Sequence, residues 1–240
     1  MTNLNQSGVS RFIMTTVILA KIDMNSDNKA LDRTYFIAGP PRVGKTILSY
    51  MLAEKIKGHV VSTDAIRDAV KKAVTDKSGD LFRLRRENSL TEEEWLNEHL
   101  NHPEITIENQ NAESMAFWTS VVAFCGAFCE DSAKHIVEGV ALLPSLVAQM
   151  ENKPKHIIYV GNTNPAHFKS MLEYGQKFPE QDWMASLGYS EKRIEGMANF
   201  VRVMSLYFKS EAEKYGFPYF EISDEDFDGS LNKICQDLLK

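Results

Sequence analysis

The sequence predicts an α/β fold. From Arg33 onward, short β-rich runs alternate with longer segments of helical periodicity, the order expected of βαβ units around a mostly parallel sheet. The middle β-rich runs are apolar without strict alternation, as strands buried on both faces should be. A chain of 240 residues suffices for one substantial core with room for an insertion. Residues 33–240 are therefore read as the main domain and residues 1–32 as an N-terminal extension. The apolar stretch of that extension is far shorter than the roughly 20 residues of a membrane span, so no membrane association is expected.

In chain order, the first strand is "TYFIA" at 34–38. It runs directly into Gly39-Pro40-Pro41-Arg42-Val43-Gly44-Lys45-Thr46, which matches the pattern G-x-x-x-x-G-K-S/T at every fixed position. A helical segment follows, with apolar Ile47, Leu48, Met51, Leu52 and Ile56. Strand, loop and helix are what a phosphate-binding P-loop requires. Backbone N–H groups of a glycine-permitted loop point inward, and the helix adds the positive end of its dipole. Gly39 to Ile47 are thus read as nucleotide-binding, with Lys45 reaching the β- and γ-phosphates and Thr46 ligating Mg²⁺.

The second strand, "HVVS" at 59–62, ends in Ser62, Thr63 and Asp64, with Arg67 and Asp68 in the first turn of the next helix. In an open α/β sheet that tip faces the ligand crevice. Asp64 has two readings there, helix N-cap or functional carboxylate. Residues 75–110 are polar, charged and too long for an ordinary connection, which points to an acceptor cap or insertion. Within them Thr91 and Glu94 have capping-box spacing. The run Arg83, Arg85, Arg86 either clamps an acidic acceptor or forms a solvated face balanced by Glu92 to Glu94, the second reading being preferred.

Residues 111–130 read as a buried helix, apolar nearly all round. The third strand, "HIVEGV" at 135–140, places Glu138 near the crevice, with Gly139 allowing close backbone approach. The fourth is "HIIYVG" at 156–161, and Asn164 with Pro165 signals the helix after it. Residues 179–195 are read as a lid, in which Arg193 is the favoured cation for the transferring phosphoryl group. The fifth strand is "YFEIS" at 219–223.

A net charge of -6 argues against a general nucleic-acid binder, whose affinity would come from basic side chains. Three cysteines, Cys125, Cys129 and Cys235, lack C-x-x-C spacing and fit reduced thiols in a cytoplasmic protein. No metal site is implied by them.

The blocks "GPPRVGKT", "VVSTDAIRDAV" and "IVEGVALLP", in this order and spacing, resemble the small-molecule P-loop kinases of the 2-phosphoglycerate kinase type. More distantly the chain is similar to zeta-toxin and to shikimate or adenylate kinase-like enzymes. "NFVRVMSLYFKSEAEKYGFPYFEI" is similar to the final long helix and strand of the group. The resemblance implies a P-loop NTPase fold of three αβα layers, with a five-stranded parallel sheet ordered 2-3-1-4-5 and a lid after the fourth strand. It also implies ATP and Mg²⁺ as cofactors, and transfer of the γ-phosphoryl to a hydroxyl of a small acidic metabolite such as a phosphoglycerate. Carried over residue by residue, Lys45 and Thr46 hold phosphate and metal. Asp64 becomes general base and metal contact, Arg67 a substrate anchor, and Glu138 with Gly139 a second acidic position. Ala141 stands where that type shows a histidine, which puts the acceptor's identity outside the resemblance. A kinase of a nucleoside or nucleotide-sugar, and an NTP-dependent switch acting on a protein partner, stay open, as do monomer and homodimer.

Overall fold

The computed structural model describes residues 31–127 and 132–240, apart from the side chains of residues 85–88. The extension up to residue 30, Cys129, and the side chains of Arg85 and Arg86 lie outside the described residues. In chain order the elements are β1 (Thr34–Ala38), α1 (Lys45–Ile56), β2 (His59–Ser62) and α2 (Thr63–Ala73). A 3₁₀ segment (Asp80–Ser89), α3 (Glu92–Leu100) and α4 (Pro103–Ala127) follow, then β3 (His135–Gly139), α5 (Pro144–Ala148) and β4 (His156–Gly161). The chain closes with α6 (His167–Lys177), α7 (Trp183–Ser186), α8 (Glu191–Tyr215), β5 (Tyr219–Glu221) and α9 (Phe227–Leu238).

The five strands form one all-parallel sheet in the order β2-β3-β1-β4-β5. From β1 the chain crosses one way to β2; from β2 onward it returns through β3 and β4 to β5. Right-handed crossovers then put the two sets of connecting helices on opposite faces. The packing agrees: α1 contacts α9, whereas α8 lies along β4 and gathers α3, α4, α5 and α6. Because β1 and β3 are neighbours that leave in opposite directions, a crevice opens at their carboxyl ends.

The core follows from the apolar runs. All five residues of β1 and of β3 are buried, and Phe36, Ile37, Ile136, Val137, Leu48, Leu52, Tyr159 and Phe208 are almost fully removed from water. Each such side chain contributes roughly 1.5–3 kcal/mol of burial free energy. Gly161 lets α8 approach the sheet, since a Cβ there would lie 2.8 Å from the Ser205 Cβ. The Ser205 hydroxyl uses that proximity to accept the Asn162 N–H at 2.9 Å.

Three local expectations change. The helix expected at 111–130 begins at Pro103, inside the insertion, and it has a wet side: Phe117, Trp118, Val121 and Cys125 are buried, but Met115 and Phe124 are 52% and 42% exposed. The helix packs through one face against the 3₁₀ segment, α2, α3 and α8, so an all-round apolar sequence still leaves one side open. The helix after β4 starts at His167, because Asn164 spends its Oδ1 on the Ala166 N–H at 2.9 Å, closing a turn before the helix. Asp64 is not an N-cap; Ser62 is, its hydroxyl accepting the Asp64 N–H at 3.2 Å. The capping box of Thr91 and Glu94 forms as expected, with the Thr91 N–H donated to Glu94 Oε2 at 2.8 Å.

Candidate active site

The loop from Gly39 to Lys45 is bent by backbone conformations that its glycines supply. Gly39 has φ 150°, and a Cβ there would fall 2.0 Å from the Val160 carbonyl oxygen. Gly44 has φ 88° and would meet the Phe227 ring at 2.7 Å. The helix that follows begins at Lys45 with no side chain capping its first turn, so those N–H groups are available to an anion. Lys45 is buried, and its Nζ donates to the Pro40 carbonyl at 2.6 Å. Burial pulls its pKa below the ordinary lysine value, against the opposing charges of Glu138 and Asp64.

Glu138 enters from the neighbouring strand. Parallel pairing sets it beside Ile37 of β1 on one side and Ser62 of β2 on the other. The hydroxyls of Ser62 and Thr46 favour its ionised form, and Thr46 and Glu138 share one cavity wall. Burial pushes Glu138 above the usual carboxylate range, with Lys45 pulling the other way. Gly139 is obligatory beside it: φ is 148°, and a Cβ would overlap the Thr63 hydroxyl at 1.8 Å. Among the described residues no three His, Cys, Asp or Glu side chains converge as a metal cage. The Thr46–Glu138 pair instead suits an ion held mainly by phosphates and water, as Mg²⁺ is.

Asp64 and Arg67 face the same cavity one helical turn apart. Arg67 bonds Asp64 at 3.0 Å and Asp68 at 3.1 Å, and lies 3.6 Å from Glu113 of α4. Glu113 is fully buried, pairs with Lys71, and accepts the Leu84 N–H at 3.1 Å. That network fastens the insertion to α2.

These groups line a cavity of about 780 Å³ at the carboxyl end of the sheet. It contains Pro41, Arg42, Gly44 to Ile47, Asp64, Arg67, Glu138 and Gly139, whereas Gly39, Pro40 and Val43, also read as nucleotide-binding, are not among its walls, Val43 being buried in the core. Arg193 is not among its walls. The Arg193 guanidinium lies 5.0 Å from the ring centroids of both Trp95 and Tyr189, a cation–π contact that ties α8 to α3.

Several partnerships and wall residues of the site were not legible in sequence. Arg42 adopts φ 65°, rare without glycine, and bonds the buried Asp182 at 2.8 Å while lying over the Tyr174 ring. Asp182 in turn caps α7 by accepting the Met184 N–H at 2.8 Å. At the β4–β5 end, His167 Nδ1 meets Asp224 Oδ1 at 2.6 Å, and Asn162 and Asn164 donate to the same carboxylate at 2.9 and 2.8 Å. Those bonds hold Asp224 below the ordinary carboxylate range against the effect of burial. From the insertion, His99, Thr106 and Gln110 complete the cavity wall. The sequence marked their neighbourhoods, through the loop before α1, the insertion at 75–110, the lid at 179–195 and Asn164 with Pro165, but not these contacts.

No protein-family model matches the chain, and no curated protein matches it. No helix among the described residues is long and apolar enough to cross a membrane.

Proposed function

We propose that the chain is a P-loop phosphotransferase that moves the γ-phosphoryl group of ATP to a hydroxyl of a small molecule. One observation carries the reading: Lys45, Thr46 and Glu138, from two adjacent parallel strand ends, meet at the uncapped start of α1. This is where a polyphosphate finds N–H donors, a buried cation and a carboxylate-linked hydroxyl together. Thr46, with Glu138 behind it, would hold Mg²⁺, which when bound neutralises charge on the phosphates.

The chain's own groups then divide the work. Lys45 leaves the Pro40 carbonyl for phosphate oxygens and stabilises the charge that develops on transfer. Asp64, more than half exposed and at the cavity edge, takes the proton of the acceptor hydroxyl. The acceptor oxygen bonds to the γ-phosphorus as its bond to the departing ADP oxygen breaks. Arg67 keeps Asp64 oriented.

Lys45→Ala is expected to reduce acceptor-dependent ADP release at least a hundredfold while thermal unfolding stays cooperative. Asp64→Asn is expected to retain ATP binding, read by calorimetry, and to lose transfer by a comparable factor. Wild-type transfer by Asp64→Asn would remove Asp64 from its role as base.

A further inference from the structure

The acceptor end of the cavity has a chemistry of its own, carried by the insertion. Thr106, Gln110 and Glu113 are spaced four and three residues apart on α4 and therefore share one face. Glu113 contacts Arg67, so Gln110 and Thr106 extend the wall away from Asp64 over about 10 Å of helix. His99 of α3 joins them, held in place from several sides. Its carbonyl accepts the Asn199 amide at 2.7 Å, and its ring stacks on Trp95 with centroids 3.5 Å apart. Gly196 of α8 permits this packing, since a Cβ there would lie 2.8 Å from the Trp95 ring. Met197 and Phe200 supply an apolar strip beside it.

Two polar atoms in this wall are buried without a partner: His99 Nε2 and Thr106 Oγ1. Buried polar groups left unpaired cost free energy, and their persistence beside a cavity points to a ligand that satisfies them. His99 Nδ1 lies 2.9 Å from the Trp95 carbonyl, which assigns the ring proton to Nδ1 and leaves Nε2 as an acceptor. Burial pulls the His99 pKa down to about 4, keeping the ring neutral at neutral pH. The charges nearby are already matched. Arg67 and Lys71 stand against Asp64, Asp68 and Glu113, two positive groups against three negative ones. Among the described residues the cation that lines this end, Arg67, is already paired, and Arg193, whose charge also lowers the His99 pKa, lies against the Trp95 and Tyr189 rings.

We propose that the acceptor is an uncharged molecule with at least two hydroxyl groups and one apolar face, such as a sugar, polyol or nucleoside. One hydroxyl lies at Asp64, and the others at His99 Nε2, Thr106 and Gln110. The assignment rests on the phosphotransfer reading and departs from the acidic acceptor that the sequence resemblance implies. An anionic acceptor would meet Asp64 and a neutral imidazole, and could gain Arg67 only by displacing a carboxylate.

The test is ADP formation with product detected by phosphorus NMR, using ribose, glucose, glycerol, inositol, uridine and adenosine against 2- and 3-phosphoglycerate. Turnover confined to the uncharged probes is expected, the sugar and nucleoside arms showing which source supplies the hydroxyls. Thr106→Val, which keeps shape and removes the hydroxyl, is expected to raise the KM of the preferred acceptor about tenfold and leave the KM for ATP in place. Gln110→Met provides a second variant should the first fail to fold. Faster turnover of either phosphoglycerate, or an acceptor KM untouched by both variants, would overturn the assignment. No transfer to any probe, with ATP still bound, would instead sink the phosphotransfer reading and this inference with it.

Discussion

At the scale of single residues, Lys45 and Glu138 show what the site costs the fold. Burial shifts each toward its neutral form, although each is the other's opposite charge, so their attraction does not offset desolvation. A bound polyphosphate reverses this for Lys45 by adding negative charge where only Glu138 and Asp64 now act. For Glu138 the sign follows from proton linkage. A carboxyl raised above its unfolded value, about 4.3, binds its proton more tightly in the folded chain, so its contribution to stability falls as pH rises through that range. Glu138→Gln removes the ionisation and should flatten the decline. The difference in melting temperature, variant minus wild type, is expected to grow between pH 4 and pH 8, while Mg²⁺-dependent turnover drops at least a hundredfold. A difference that stays constant with pH would mean that Glu138 is not held above the carboxylate range.

At the scale of elements, the loop before α1 is joined to the segment before α7 by the Arg42–Asp182 pair, with side chains 13% and 1% exposed. Asp182 serves two masters, the guanidinium at 2.8 Å and the first turn of α7, so the conformation of the loop before α1 and the position of the expected lid are set together. Arg42 keeps a positive φ of 65° that most residues avoid, which only a well-held side chain sustains. Removing one partner leaves the other buried and unpaired. Asp182→Ala is therefore expected to cost about 3 kcal/mol in denaturant unfolding. Arg42→Ala should cost less, since it leaves Asp182 its bond to Met184. The double variant should lose clearly less than the sum of the two. Simple additivity in that cycle would show that the two elements are not coupled through this pair.

At the scale of the whole molecule, legibility in the sequence tracks how local each feature is. The sheet was readable because β1, β3 and β4 are contiguous apolar runs, and the loop between β1 and α1 because its glycines, lysine and threonine lie close together in the chain. Glu138 could be placed because a strand end has only one direction to face. Arg42 and Asp182 are 140 residues apart, and His167 and Asp224 57, so each pairing depends on how helices cross the sheet edge, which periodicity does not encode. Arg193 went to the rings of Trp95 and Tyr189 for the same reason, since the packing of α3 on α8 decides what its guanidinium meets. The elements converge on one cavity, and that convergence makes a prediction for the fold as a unit. A nucleotide that contacts the β1 and β3 ends and the segment before α7 binds only the folded chain. Mg²⁺–ATP at a hundred times its Kd should add about 2.7 kcal/mol of stability. For a chain of this size that corresponds to a rise in melting temperature of roughly 5–10 °C. Lys45→Ala should lose most of the rise, and ADP should give a smaller one than ATP because it lacks the γ-phosphate that Lys45 would reach on the proposed reading. Equal shifts from ATP in the wild type and in Lys45→Ala would place the nucleotide somewhere other than the loop between β1 and α1.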